Sequence, residues 1–255
     1  MGERKRDRDL EVAALQLGLD LGMTLIDTAE MYADGGAEEV VARAIAGRRE
    51  RVFVVSKVYP HNAGARSAIA ACERSLKRLA ADHLDLYLLH WRGRIPLAET
   101  VDAFERLRRD GKILRWGVSN FDVDDIQALL AIPDGKHCAA NQVLYHLGQR
   151  SAEWRLADLC RRHRIVLMAY SPLGRGDVLR SRKLHAIAAQ IGATPAQIAL
   201  AWLMHRQTIA IPKASSAKHV RDNRCAAEIT LSAEIMAAID AEFPPPSRAT
   251  PLAVI

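Results

Sequence analysis

Short apolar runs alternate along this chain with longer stretches of helical spacing. The runs fall at residues 23–26, 52–57, 84–90, 115–119, 140–144, 165–170 and 208–211. Runs this short, followed by turn residues, read as buried strands of a parallel sheet. Residues 8–21, 37–46, 67–79, 96–109, 122–130, 152–163, 183–190, 198–205, 216–226 and 233–242 are the expected helices. Their boundaries carry local signals. Pro96 suits a first helical turn, and Gly111 follows the end of that helix. Asp122 is a good N-cap, and Thr194 with Gln197 has capping-box chemistry. A longer loop occupies residues 171–177. The alternation runs without a linker or a break in composition, so a single α/β domain over residues 1–255 is expected.

Several of these runs end in a polar residue. Asp27, Lys57, His90 and Asn120 close the first four, and Gln142 lies in the fifth. A (β/α) barrel of the TIM type assembles its site in this way, from side chains at the carboxyl ends of different strands. Closing such a barrel takes eight strands. Seven are visible, and nothing before the first helix supplies another. The expected fold is therefore a (β/α)8 barrel short of its first strand, with a gap beside Asp27. No G-x-G-x-x-G follows a strand, which argues against a Rossmann domain.

Composition narrows the function classes. The chain is 49% hydrophobic and 26% charged, ordinary for a soluble globular protein. Its net charge of +6 is scattered, with no basic stripe interleaved with aromatics, which excludes nucleic acid as the expected partner. Cys72, Cys138, Cys160 and Cys225 lie far apart without a C-x-x-C pair, so neither zinc nor a disulfide framework is expected. The charged amino terminus lacks an apolar signal segment, and no apolar run is long enough to span a membrane. The expectation is a cytoplasmic protein with reduced thiols.

Asp27-Thr-Ala-Glu-Met-Tyr32, Lys57, Leu89-His90-Trp91, Gly117-Val-Ser-Asn-Phe121, Asn141-Gln142, Ala169-Tyr-Ser-Pro-Leu173 and Ile211-Pro-Lys213 occur in this order. The series, from about residue 10 to about residue 243, resembles the aldo-keto reductases, and most nearly their bacterial members that reduce small aldehydes of the methylglyoxal type. The resemblance implies a catalytic tetrad of Asp27, Tyr32, Lys57 and His90. The chemistry has its own logic. Reducing a carbonyl takes a hydride to carbon and a proton to oxygen. A phenol titrates near pH 10 in water, and an ammonium against its oxygen favours the phenolate. A carboxylate beside the lysine keeps that ammonium charged and aimed. A histidine on the next strand can donate to the substrate oxygen.

The same resemblance implies NADPH as cofactor, with NADH as the lesser alternative. Ser119, Asn120 and Gln142 match the positions that bind the nicotinamide carboxamide, and Tyr170 the ring that stacks on it. Ser171 and Leu173 match pyrophosphate contacts. Lys213, Ser215 and His219 match the adenosine-phosphate site, and Asp222 and Asn223 the adenine pair. Tyr32, His90 and Trp91 would face a small carbonyl substrate. Two positions depart from the usual pattern: His219 stands where many relatives have arginine, and Ala214 where many have serine or threonine. Histidine clamps a phosphate less firmly than arginine does.

Relatives also carry a hairpin and a first barrel strand before the helix at residue 10. Their absence leads to two expectations. The chain is a shortened form, with roughly 20–30 further residues encoded upstream. It is a monomer unless open strand edges drive association. A non-catalytic scaffold of the same fold is the alternative reading, favoured by the missing strand as the intact tetrad favours the enzyme.

Overall fold

The computed structural model describes residues 1–254. Seven strands follow one another in chain order within one sheet, and β1 (Leu25–Asp27) and β7 (Ile209–Ile211) stand at the two ends of that order. The chain packs as two compact units, residues 1–140 with 215–217, and residues 141–214 with 218–254.

The first unit holds β1, β2 (Phe53–Val58), β3 (Leu86–Leu89) and β4 (Trp116–Ser119). All pair in parallel, with Asp27 opposite Val55, Lys57 opposite Leu88, and Leu88 opposite Gly117. β3 and β4 are buried throughout, which is why they read as unbroken apolar runs. Gly117 is required by the close approach of residue 140, since a Cβ there would lie 2.4 Å from the Ala140 carbonyl oxygen. Helices α1 (Arg8–Asp20), α2 (Gly36–Ile45), α3 (Ser67–Leu79), α4 (Leu97–Arg109) and α5 (Val123–Leu130) alternate with the strands. α4 buries Leu97, Val101, Phe104 and Leu107, spaced three and four apart, and Phe104 packs between Tyr87 and Trp116. The capping box at Asp122 is formed, with Asp125 as its second member.

Several boundaries differ from the pattern-based expectation, and the helix expected over 152–163 is α-helical only over Leu156–Arg162. The run at 84–90 begins its strand two residues late. Leu84 makes an isolated bridge to Ile113, while Asp85 turns its carboxylate to Arg49 and to the backbone N–H of Val54, both at 2.8 Å. A side chain that ties off the neighbouring strand ends the regular ladder there. Pro96 is the N-cap of α4 and lies outside its first turn, with φ −53° and ψ 128°.

β5 (Cys138–Leu144) begins in the first unit and enters the second at Asn141, where α6 (Leu156–Arg162), β6 (Val166–Tyr170), α7 (Arg182–Ile191), α8 (Pro195–His205) and β7 follow, then α9 (Ala217–Cys225), nearly all of it in this unit, and α10 (Ala233–Glu242). β6 and β7 pair with Tyr170 opposite Ile211. Thr194 and Gln197 form the expected capping box of α8, which is buried from Ile198 to Leu203. Gly192, at φ 74°, ends α7. β7 is less buried than its apolar sequence suggests, with Ile209 38% exposed, as suits a strand that stands at the end of the order among the described residues. Arg150 is the polar knot of this unit. It donates to Glu153 and Asp240, each at 2.7 Å, and to the Phe243 carbonyl, and its guanidinium lies over the Trp202 ring.

β2 is held from its outer side by a buried carboxylate. Glu38 of α2 accepts from Ser56 Oγ and from Arg78 Nε of α3, both at 2.6 Å, and is fully buried. Removing one member of a buried pair strands the other, at about 3–5 kcal/mol. Arg78 keeps a quarter of its side chain in solvent, so roughly 2–3 kcal/mol is expected here. Glu38→Ala should lower the melting temperature by about 5–10 °C in a chain of this size. A thermal melt that matches the parent within a degree would show that this network contributes nothing to stability.

Candidate active site

The carboxyl ends of β1 and β2 bring Asp27 and Lys57 together. The Lys57 ammonium is fully buried and 2.6 Å from the Asp27 carboxylate. It also donates to the Thr28 carbonyl at 2.9 Å and to the Tyr32 hydroxyl at 3.3 Å. An ammonium has three protons to donate, and three acceptors surround this one. Burial alone would pull the group down. Attraction to Asp27, and then to the Tyr32 oxygen, outweighs burial and holds Lys57 above its ordinary range.

Tyr32 reaches that position through an unusual turn. Ala33 and Asp34 lie at φ 53° and 52°, and Gly35 follows at φ 87°. Left-handed backbone costs a non-glycine residue roughly 1–2 kcal/mol, so packing must impose it here. The turn starts α2 immediately after the phenol. Upstream, Thr28 N–H donates to Val55 O and Glu30 N–H to Lys57 O, which ties the loop to the end of β2.

His90 follows β3, its backbone N–H bonded to Val58 O at 3.0 Å. Its ring stands edge-on to Tyr32, with centroids 5.7 Å apart and an interplanar angle of 78°. Burial lowers the imidazole pKa to about 3, and the Lys57 charge adds to this. His90 is therefore neutral at physiological pH and offers one N–H and one lone pair. Its Nδ1 is buried without a hydrogen-bond partner among the described residues. Trp91 packs against His90 at 4.9 Å and is 36% exposed. Asn120, at φ 61° just past β4, donates to the His90 carbonyl at 3.1 Å and to Ser119 Oγ at 3.2 Å.

The first unit thus gathers the four residues expected to form the tetrad, together with Trp91, Ser119 and Asn120. Ser215, assigned to the same unit, is exposed. The remaining expected cofactor residues belong to the second unit. Gln142 is buried on β5. Tyr170 ends β6 half-buried, and Ser171, at φ 48°, and Leu173 follow it. Lys213 is exposed two residues beyond β7. His219, Asp222 and Asn223 lie on α9, where His219 is exposed and Asp222 carries an ion pair to Lys218 at 2.6 Å.

Two contributors escape a reading based on apolar runs. The Thr28 carbonyl is a backbone ligand of Lys57, and backbone ligands leave no residue-type signal. Tyr59 sets its ring against Trp91, with centroids 5.8 Å apart. It lies two residues past Lys57, and strand alternation is the signal that could have found it.

A family model described as the aldo/keto reductase family matches residues 2–242. Methylglyoxal reductase YeaE of Escherichia coli (strain K12) is 50% identical over the whole chain and 92% of its own length. Glyoxal reductase of Bacillus subtilis (strain 168) is 36% identical over 86% of the chain and 79% of its own length. The crystal structure of an aldo-keto reductase from Klebsiella pneumoniae in complex with NADPH superposes with a TM-score of 0.98, at 52% identity, covering 100% of the chain and 92% of that protein. The chain belongs to the aldo/keto reductase family, an oxidoreductase with the (β/α)8-type fold that the strand pattern and the ordered motifs indicate.

Proposed function

We propose that the chain reduces small aldehydes, 2-oxoaldehydes such as methylglyoxal among them, to alcohols with NADPH. The observation that carries this reading is the buried Lys57 ammonium, bonded at once to Asp27 and to the Tyr32 hydroxyl. The names of the Escherichia coli and Bacillus subtilis relatives support the substrate class, and the bound NADPH of the Klebsiella pneumoniae structure supports the cofactor.

The donor set suits that cofactor. In the first unit, the Ser119 hydroxyl and Asn120 amide match the mixed donors and acceptor of a carboxamide. In the second, Gln142 adds another amide, Tyr170 offers a half-exposed ring, and Lys213 an exposed ammonium for a phosphate. Ser171 and Leu173 would serve the pyrophosphate, Ser215 and His219 the adenosine phosphate, and Asp222 and Asn223 the adenine. When bound, NADPH would supply the hydride. The chain supplies the proton and its placement. Tyr32 gives the hydroxyl proton to the carbonyl oxygen, and the Lys57 ammonium stabilises the negative charge left on the phenolic oxygen. Asp27 keeps Lys57 protonated and aimed. Neutral His90 donates to the substrate oxygen and orients it beside the phenol. Trp91 forms a wall of the substrate space.

Tyr32→Phe removes the proton donor and keeps the ring. Turnover of methylglyoxal should fall by about 10²-fold or more, with the NADPH dissociation constant within twofold of the parent by fluorescence titration. Turnover above half the parent value would remove Tyr32 from the mechanism.

The state of His90 sets a pH signature. Its folded pKa of about 3 lies below the unfolded value near 6.5. Its neutral form therefore contributes stability above about pH 6.5, and this contribution is lost as pH falls towards 3. The melting advantage of the parent over His90→Gln should shrink between pH 7 and pH 4, and kcat/KM should show no His90 inflection near 6.5. An inflection there that disappears in His90→Gln would mean that the imidazole works in its charged form.

Lys213→Ala should weaken NADPH binding by about threefold to tenfold, as suits one exposed charge–phosphate contact, and leave NADH binding nearly unchanged. Equal losses for the two cofactors would place Lys213 away from the 2′-phosphate.

A further inference from the structure

Glu30 stands between the two catalytic positions of its loop, two residues before Tyr32, and is 7% exposed. A buried carboxylate is costly unless its oxygens are satisfied. Its nearest cation, Arg74, is 3.8 Å away and half in solvent, so an ion pair does not explain the burial. One oxygen of Glu30 instead accepts two hydrogen bonds, from the backbone N–H of Tyr59 at 2.8 Å and from Asn62 Nδ2 at 3.1 Å. Both donors belong to the turn that follows β2. The carboxylate therefore joins the loop carrying Tyr32 to the loop carrying Tyr59.

The second loop has an aromatic purpose. The Tyr59 ring stands edge-on to Trp91, at 86° between planes, and Trp91 packs on His90, which is edge-on to Tyr32. With the backbone from Glu30 to Tyr32 as one link, these contacts close a circuit through Glu30, Tyr59, Trp91 and His90 back to Tyr32. The two loops bearing Tyr59 and Trp91 also approach closely. A Cβ at Gly93 would lie 2.6 Å from the Pro60 Cβ, so position 93 is confined to glycine by contact alone. In this circuit Glu30 is the only member held by hydrogen bonds to the Tyr59 loop rather than by ring contacts.

We propose that Glu30 is a positioning residue that sets the Tyr59–Trp91 wall against Tyr32 and His90, and so makes the site selective for small carbonyl compounds. This rests on the reductase reading above. Substrates of two or three carbons have no bulk with which to find their own orientation, and depend on a wall that is already in place. A bulky aromatic aldehyde tolerates a displaced wall.

The test compares methylglyoxal with 4-nitrobenzaldehyde as probes, using the full chain and saturating NADPH. Glu30→Ala should raise KM for methylglyoxal about tenfold while kcat stays within about twofold, and KM for 4-nitrobenzaldehyde should stay within twofold or fall. The dissociation constant for NADPH should not move. Glu30→Gln keeps the accepting oxygen and should restore the parent KM. A kcat that falls with KM unchanged, or an equal KM rise for both aldehydes, would reduce Glu30 to a general stabilising group and overturn the proposal. Should Glu30→Ala fail to fold, Asn62→Leu removes one donor from the same oxygen. It should raise the methylglyoxal KM about threefold with the same ordering of the two aldehydes, and parent kinetics in that variant would overturn the proposal equally. A parent inactive with both aldehydes overturns the reductase reading itself; an active parent with unaffected variants overturns only the role of Glu30.

Discussion

A lysine ammonium that is fully buried near the end of β2 is the constraint on which the candidate site depends. Moving such a charge out of water costs several kcal/mol even after relaxation. The cost is tolerable because Asp27, the Thr28 carbonyl and the Tyr32 oxygen meet all three protons. Two of those acceptors lie on the segment that leaves β1, and the third follows four residues later. The path of that segment is thus determined by where the ammonium sits. The left-handed pair Ala33–Asp34 shows that the chain accepts local strain to complete the arrangement.

β2 is clamped on both faces. Successive residues of a strand point to opposite sides, so Ser56 turns to Glu38 between α2 and α3 while Lys57 turns to Asp27. Glu30 secures the turn immediately beyond. Three carboxylates from one stretch of a dozen residues therefore hold one strand and its exit. Lys57 is thereby held between ordered hydrogen bonds although the loops around it are irregular. The neutral His90 fits the same electrostatic scheme: a second positive charge beside Lys57 would weaken the grip on Asp27, and burial keeps the imidazole uncharged.

Much of this was legible in the residues themselves. Apolar runs that close on Asp27, Lys57 and His90 located three strands together with the polar side chains gathered near their carboxyl ends. The Thr194–Gln197 and Asp122 caps were readable as local chemistry that needs no tertiary partner. What escaped was relational. Asp85 sits in an apolar run but serves the start of β2, and only the register of the sheet reveals this. Glu30 reads as one more polar loop residue until its two donors on the Tyr59 turn are seen. β7 matches β6 in sequence character yet is less buried, since exposure depends on a neighbour and not on composition. The residues proposed for the cofactor came from ordered family motifs; their types alone, serines and amides at loop starts, would not have singled them out.

The central claim is that Lys57 acts through the Tyr32 oxygen, as one unit with it. A double-mutant cycle on kcat/KM with Lys57→Met and Tyr32→Phe measures this directly. The account predicts strong non-additivity: once the phenol is gone the lysine has nothing to act on, so the double variant should be no slower than the slower single variant. Losses that multiply would contradict the account, because they would mean that Lys57 and Tyr32 contribute to the reaction independently.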